Sequence, residues 1–387
     1  MSGLYQSENA DLLGREGATA RRDHWWLLGL GGLSLAAHGW LLGARLGGDS
    51  GRYLDAARRL LSGQPLVDKQ ADFLAYDWLV ALTGAADGGP WPLMVFQALL
   101  SLLAGLALYW GGSRAFGRAA GLAAAAAYLL WPDLQRWNFY LLSDGVFNSL
   151  LALALGLALG STGRPLAWLG LMPVLLLMAF TRPEGLLFWL PVAAWCLVRR
   201  RYGLGLSLLA LAGLLAIISP LSVSGGAEII AQWRQGAVVW GHPALDQPPN
   251  LAEIEPLDSL PLFLWTAFWL DPAGVAGLML RRVFWFLVHA RPFYSLAHNL
   301  AAAVSSLCLL GLALWGALTG RGGGGHRLLP WAVVLLQLLL CALTWADWDG
   351  RFLTRVSPAL LLLAADGLLG AGDPDFSEGG PGRFAHL

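Results

Sequence analysis

Apolar runs long enough to cross a bilayer recur from one end of this chain to the other, and that repetition decides what it can fold into. The runs cover residues 25–43, 91–113, 119–131, 142–160, 165–181, 185–198, 204–221, 299–318, 328–345 and 356–370. Each reads as a membrane-spanning helix. The fold class is therefore all-α, a polytopic membrane helix bundle of about ten transmembrane helices. Composition agrees, with 57% of residues hydrophobic and only 13% charged, where soluble domains run near a quarter charged. The 20 tryptophans suit membrane interfaces, which favour amphipathic rings.

Some runs are short. Residues 119–131 reach only about 20 Å at a helical rise, against a hydrocarbon core of about 30 Å, so flanking residues must extend them. Phe73–Thr83 is apolar but short and carries Asp77, which marks a re-entrant or interfacial piece. Residues 1–24 are polar and mixed in charge and read as a disordered cytoplasmic tail; residues 372–387 read as a second. Trp25–Gly43 is too long for a signal-peptide core and lacks a small-x-small cleavage site, so it reads as an uncleaved first span.

Charge sets the orientation. With the N-terminus inside, the inner hairpins hold Arg114, Arg118, Arg164, Arg199, Arg200, Arg201, Arg321 and Arg327, with no Asp or Glu among them. Both termini are then cytoplasmic, and the long loops 44–90 and 222–298 share the outer face. Two segments there have amphipathic spacing and read as interfacial helices. In Arg52–Ser62, Tyr53, Leu54, Ala57, Leu60 and Leu61 oppose Arg52, Asp55, Arg58 and Arg59; in Leu278–Ala290, Arg281, Arg282 and His289 oppose Val283, Phe284, Leu287 and Val288. Gly241–Pro261, rich in Pro, Asp and Glu, reads as irregular.

Ionisable groups at membrane boundaries are costly and need a reason. Five clusters of them fall on the outer side: Asp49 with Ser50, Arg52 and Tyr53; Asp68, Lys69 and Asp72; Ser143 with Asp144; Arg182 with Glu184 around Pro183; and Asp347, Asp349 and Arg351. Glycines beside Asp49 let backbone approach a ligand closely. Lys69 is the single lysine beside 24 arginines, a skew that reads, with the abundant Gly and Ala, as a GC-rich bacterial genome. Carboxylates and cations at one membrane face suit a substrate with a phosphate head and a lipid tail: cations hold the phosphate, and a carboxylate takes a proton from an acceptor hydroxyl.

Other chemistries find no support. The formal net charge is zero, so there is no basic face for nucleic acid. No P-loop, dinucleotide fingerprint, zinc spacing or G-x-S-x-G occurs. Cys196, Cys308 and Cys341 each stand alone in an apolar run, which is not a disulfide framework.

The order of motifs resembles the GT-C class of polytopic glycosyltransferases, in the branch of bacterial protein-O-mannosyltransferase-like and aminoarabinose-transferase-like enzymes. It rests on Asp49 with Tyr53, Ala56, Ala57 and Gly63; on Tyr140–Leu–Leu–Ser–Asp144 opening a span; and on Thr181–Arg–Pro–Glu–Gly185. It continues in Arg291–Pro–Phe–Tyr–Ser295 with His298 and Asn299, and in Asp349–Gly–Arg351 with Pro358. Such a family implies a domain over residues 25–371 in the bacterial inner (plasma) membrane. It implies a polyprenyl-phosphate sugar donor, a lipid, glycan or protein acceptor, membrane lipids as surroundings, and inverting chemistry at the outer face. Asp49 matches the catalytic aspartate. Tyr53, Lys69, Asp144, Arg182, Glu184, His298, Asp349 and Arg351 are then substrate-binding candidates. Lys69–Gln70–Ala71 stands where the family has Lys–Pro–Pro, and Asp49–Ser50 where it often has Asp–Glu. The resemblance fixes no cofactor, and the Asp49–Ser50 departure counts against a metal role at Asp49; a divalent metal stays open. So do a transporter or lipid flippase, and an inactive scaffold of the same fold.

Overall fold

The computed structural model describes residues 2–161, 165–218, 223–247, 249, 259–320, 324–347 and 349–370. Regular structure among them is helical, with two isolated bridges pairing Arg45 with Tyr140 and Val239 with Ala346. Helix α1 spans Ser2–Leu42. The first long loop follows as α2 (Ser50–Leu61), a 3-10 turn (Asp68–Phe73), α3 (Leu74–Leu82) and α4 (Ala85–Gly88). Next come α5 (Trp91–Phe116), α6 (Arg118–Leu130), α7 (Pro132–Gln135), a 3-10 turn (Arg136–Phe139) and α8 (Ser143–Gly160). The middle of the chain gives α9 (Pro165–Thr181), a 3-10 turn (Pro183–Leu186), α10 (Trp189–Val198), α11 (Tyr202–Ile218) and α12 (Val223–Gln235). The last part gives α13 (Leu260–Leu270), α14 (Pro272–Val288), α15 (Leu296–Thr319), α16 (Gly324–Leu343) and α17 (Arg351–Leu369).

Among the described residues, six helical segments are long and apolar enough to cross a membrane: Thr19–Leu42, Trp91–Phe116, Ser143–Gly160, Leu296–Thr319, Gly325–Leu343 and Arg351–Leu369. Four apolar helices are shorter: Arg118–Leu130, Trp168–Thr181, Pro183–Val198 and Tyr202–Ile217. Together they account for the ten expected runs. The shortness foreseen for residues 119–131 is real, since α6 has 13 residues.

Helix α8 is the hub. Its span is 94% buried, and α17 follows at 78%. A helix apolar on every face belongs inside, and Asp144 is the one ionisable residue of α8. Without a strong hydrophobic drive between helices in lipid, small residues allow the close approach. A Cβ on Gly156 would overlap the backbone of Ala107 on α5, and one on Gly111 would overlap Gly156 itself. Gly316 and Gly367 do the same for α15 against α17.

At the end opposite the loops, Arg118 chelates Asp23 with Nε at 2.7 Å and Nη2 at 2.8 Å, and Tyr109 donates to the same carboxylate at 2.8 Å. Arg327 meets buried Asp366 at 2.6 Å. Two of the expected inner arginines are thus neutralised by acids from neighbouring segments. Arg164, Arg321 and the tail 372–387 lie outside the described residues, as does most of 248–258 in the stretch expected to be irregular.

Three expectations are corrected. The first 24 residues are not a loose tail, because α1 is helical from Ser2 and Asp23 docks on α5 and α6. The long loop 222–298 contains an apolar pair, α13 and α14, bent by 116° where Asp271 meets Pro272. Proline ends a helix that its neighbour restarts, and Asp271 Oδ1 accepts the Gly274 N–H at 2.8 Å as the new cap. Finally, the polar face assigned to Leu278–Ala290 points inward. Arg282 and His289 are buried while Phe284 is exposed, because Arg282 donates to the Ala237 and Ala342 carbonyls at 2.8 and 3.1 Å. The first amphipathic reading fits better, since Tyr53, Ala56 and Ala57 of α2 are buried and Leu61 is exposed.

Candidate active site

The link from α1 to α2 is clamped to the segment that precedes α8. Arg45 N–H donates to Phe139 O at 2.8 Å, and Leu141 N–H returns to Arg45 O at 2.9 Å. Buried Ser50 donates from Oγ to Leu141 O at 2.7 Å and accepts from Gly47 N–H at 2.7 Å. Asp49, N-cap of α2, makes no side-chain cap bond. Its carboxylate is free to face the cleft, where Arg52 Nη2 lies at 3.7 Å and Arg351 Nη1 at 3.8 Å.

With the groups beneath them, Asp49 and Arg52 make a network of four carboxylates and four guanidiniums. Asp144 sits in the first turn of α8, where the helix dipole favours an anion, and is buried. Arg182 Nη1 reaches it at 2.8 Å, Arg351 Nη1 at 3.6 Å and Arg355 Nη2 at 3.6 Å. Glu184 takes Arg182 Nε and Arg355 Nη1, both at 2.8 Å. Asp347 faces Arg351 Nε at 3.5 Å. Local sequence explains the aim of each group. Arg182 precedes proline and is extended, so it leaves α9 and turns back toward α8. Arg351 and Arg355 stand one turn apart on the same face of α17. Gly350 starts that helix with φ +72°, and a Cβ there would overlap the His289 ring, so only glycine fits.

The network keeps spare donors. Nε of Arg52 and Nε of Arg355 are buried without a hydrogen-bond partner among the described residues, while Nε of Arg351 and Nη2 of Arg355 have only the long pairs to Asp347 and Asp144 at 3.5 and 3.6 Å. Guanidinium N–H groups near a low-dielectric boundary are strong ligands for an oxyanion. Tyr53 lies behind them, sharing a 3.1 Å hydrogen bond with Ser143 Oγ and accepting from Arg52 Nη2 at 3.3 Å. Burial raises its phenol above the ordinary value, against the pull of Arg182 and Arg52, so it acts as a neutral hydrogen-bonding group.

Two cavities open onto this network. One, of about 540 Å³, is walled by Trp137, Tyr140, Trp240, His242 and Asp349; the other, of about 270 Å³, by Arg52, Lys69, Arg182 and Glu184. Asp49, Trp240 and Arg351 line both. The expected residues therefore gather, but three of them line neither cavity: Asp144, buried beneath among Arg182, Arg351 and Arg355, and Tyr53 and His298. Tyr53 is buried and touches neither cavity; its part is to hold Ser143 and Arg52. His298 is exposed at the start of α15, stacked on Tyr294 with centroids 3.9 Å apart, and lines neither cavity. It reaches the site only through Tyr294, whose hydroxyl donates to Asp349. Asp349 also takes the Arg136 guanidinium at 3.4 Å. Lys69 faces the smaller cavity but is paired with Glu228 of α12. Trp348 lies outside the described residues.

Sequence reasoning missed Arg355 and Trp240 as site residues, and it named Asp347 and Arg52 in its clusters without making them substrate-binding candidates. Arg355 carried a signal: an ionisable residue at the edge of an apolar run, one turn beyond Arg351. Among the described residues no three His, Cys, Asp or Glu side chains gather as metal ligands. Each carboxylate of the network faces a guanidinium instead, a donor set that does not fit a divalent cation.

No family model and no curated protein matches the chain. Among solved structures, the chain is similar to ArnT from Cupriavidus metallidurans bound to undecaprenyl phosphate, with a TM-score of 0.49 and 15% identity over 88% of this chain. It is similar to the same protein in the apo state with a TM-score of 0.38 and 17% identity, again over 88% of this chain and over 77% of that one. The chain spans 59% of the first structure's length. At these values neither likeness assigns a role to any residue here.

Proposed function

We propose that residues 25–371 form a membrane glycosyltransferase. It moves a sugar from a polyprenyl-phosphate donor to a hydroxyl or phosphate-bearing lipid, glycan or protein at the outer face of a bacterial inner membrane. The observation that carries this reading is the position of Asp49. An exposed carboxylate stands where two cavities meet, beside guanidiniums with unused donors. Its two ion pairs are long, so its oxygens remain available to an acceptor hydroxyl.

The chemistry balances with these groups. The acceptor oxygen forms a bond to the anomeric carbon as its proton passes to Asp49. The bond from that carbon to the phosphate oxygen breaks, and the electron pair leaves with the phosphate. Arg351 and Arg182 hold the charge that develops there. Attack from the face opposite the phosphate inverts the anomeric centre. A glycosyl phosphate is already activated, so alignment and charge stabilisation are the main tasks of the protein.

Purified chain in lipid nanodiscs, given undecaprenyl-phosphate sugars and envelope extract, should yield labelled acceptor. Asp49→Asn should lower that rate by about 10²–10⁴-fold, the usual share of a general base. Full activity in Asp49→Asn removes the assignment. Uptake of donor into sealed vesicles without covalent transfer would favour a transporter or flippase, and no transfer by the wild type would favour a scaffold.

A further inference from the structure

We infer that Trp240 is the partition of the site: it separates a phosphate seat from a sugar seat and serves as the platform on which the sugar ring packs. This rests on the transferase reading above.

The two cavities differ in chemistry. The smaller sets the cations Arg52, Lys69, Arg182 and Arg351 among the carboxylates Asp49, Asp72, Glu184, Glu228 and Asp347; its clustered guanidinium and ammonium donors are what a phosphate would recruit. The larger carries the rings of Trp137, Tyr140, Trp240 and His242, with the Asp349 carboxylate in its wall. A sugar has an apolar C–H face and a rim of hydroxyls, so it pairs with a large amphipathic ring and a carboxylate acceptor. One oxygen bridges phosphate and anomeric carbon in the donor. The reacting carbon must therefore lie on the boundary shared by both cavities, and that boundary consists of Asp49, Arg351 and Trp240. A phosphate among the cations and a ring against Trp240 bring the anomeric carbon to Asp49.

A platform has to be rigid, and Trp240 is fixed from three sides. Its ring stacks on Trp345 with centroids 5.0 Å apart and planes tilted by 36°. Its backbone N–H donates to Ala346 O at 2.9 Å, and Ala346 N–H donates to Val238 O at 2.8 Å. Buried Arg282 then ties Ala237 to Ala342 through their carbonyls while its guanidinium lies 4.4 Å over the Trp233 ring. Gly241, at φ +74°, turns the chain away directly after the tryptophan. The same pinning joins Trp240 to the segment that carries Asp347 and Asp349, so the two seats keep their spacing.

The test is retention of two lipids by the full chain, read by native mass spectrometry. The probes are undecaprenyl phosphate and undecaprenyl phosphate bearing mannose, glucose or aminoarabinose. The wild type should hold at least one sugar-bearing lipid more tightly than the bare lipid. Trp240→Ala should cancel that preference, about a tenfold loss, and leave retention of undecaprenyl phosphate unchanged. Trp240→Phe should keep the preference, and Lys69→Ala should weaken both lipids alike. Equal loss of both lipids in Trp240→Ala, or no loss, overturns the partition, as does a wild type that binds both equally. A wild type that binds neither lipid overturns the transferase reading itself.

Discussion

Arg355 shows how much one buried charge can hold. It is 2% exposed, and it touches Glu184 at 2.8 Å and Asp144 at 3.6 Å. Removing one member of a buried charge set leaves the others unpaired in a poor solvent, which costs about 3–5 kcal/mol. Arg355→Met should therefore lower the thermal midpoint of the detergent-solubilised chain sharply. Adding Glu184→Gln should recover part of the loss, because the amide no longer needs a cation. Additive losses in the double variant would show that Arg355 stabilises by packing alone, through the 4.2 Å stack on Phe352. Asp49, Asp144, Arg182 and Arg351 were legible in the sequence because each stands at the end of an apolar run, where a charge is conspicuous. Arg355 directly precedes the run 356–370, a turn beyond the Arg351 that drew attention first, and Trp240 is one of 20 tryptophans. Their roles depend on which distant segment lies opposite, and spacing along the chain does not encode that.

Among the elements, α3 carries an oddity with a pH signature. Asp77 is fully buried, and neither of its oxygens has a hydrogen-bond partner among the described residues. Burial pushes its carboxyl up from 3.8 to about 8, with Arg52 pulling weakly the other way. Between those two values the folded chain holds a proton that the unfolded chain has released. Stability from this group is thus full below about pH 4, falls as the pH rises, and is lost above about pH 8. Asp77→Asn keeps the side chain neutral at every pH. It should raise the thermal midpoint at pH 8 by a few degrees, leave it nearly unchanged at pH 4, and flatten the profile between. A slope equal to that of the wild type would place the titrating group elsewhere. The sequence marked Phe73–Thr83 as unusual because of this residue, and the short helix Leu74–Leu82 agrees. The α13–α14 pair was hidden for the opposite reason. Its break at Asp271–Pro272 cuts an apolar stretch into pieces too short to stand out as a span.

For the whole molecule, helix type and order followed from apolar periodicity, while depth and sidedness needed more. The long helices fix one end-to-end distance: α5, at 26 residues, covers about 39 Å. Both cavities lie at the end where α8 and α17 begin. The pairs Arg118–Asp23 and Arg327–Asp366 lie at the other end. Positive charge near short hairpins stays in the cytoplasm, so the cavities should face outward. That side matters to the proposed chemistry, since a lipid-phosphate sugar brings its own activated leaving group and needs no nucleotide at the site. Ser62, exposed after α2, and Arg200, exposed after α10, report the two ends. Cys196 and Cys341 are buried and Cys308 is exposed, so a Cys308→Ala background is needed. In intact spheroplasts a membrane-impermeant maleimide should label Ser62→Cys at once. Arg200→Cys should label only after permeabilisation. The reverse pattern would turn the cavities toward the cytoplasm and its nucleotide sugars, and an outer-face transferase would then be the wrong machine for this cleft.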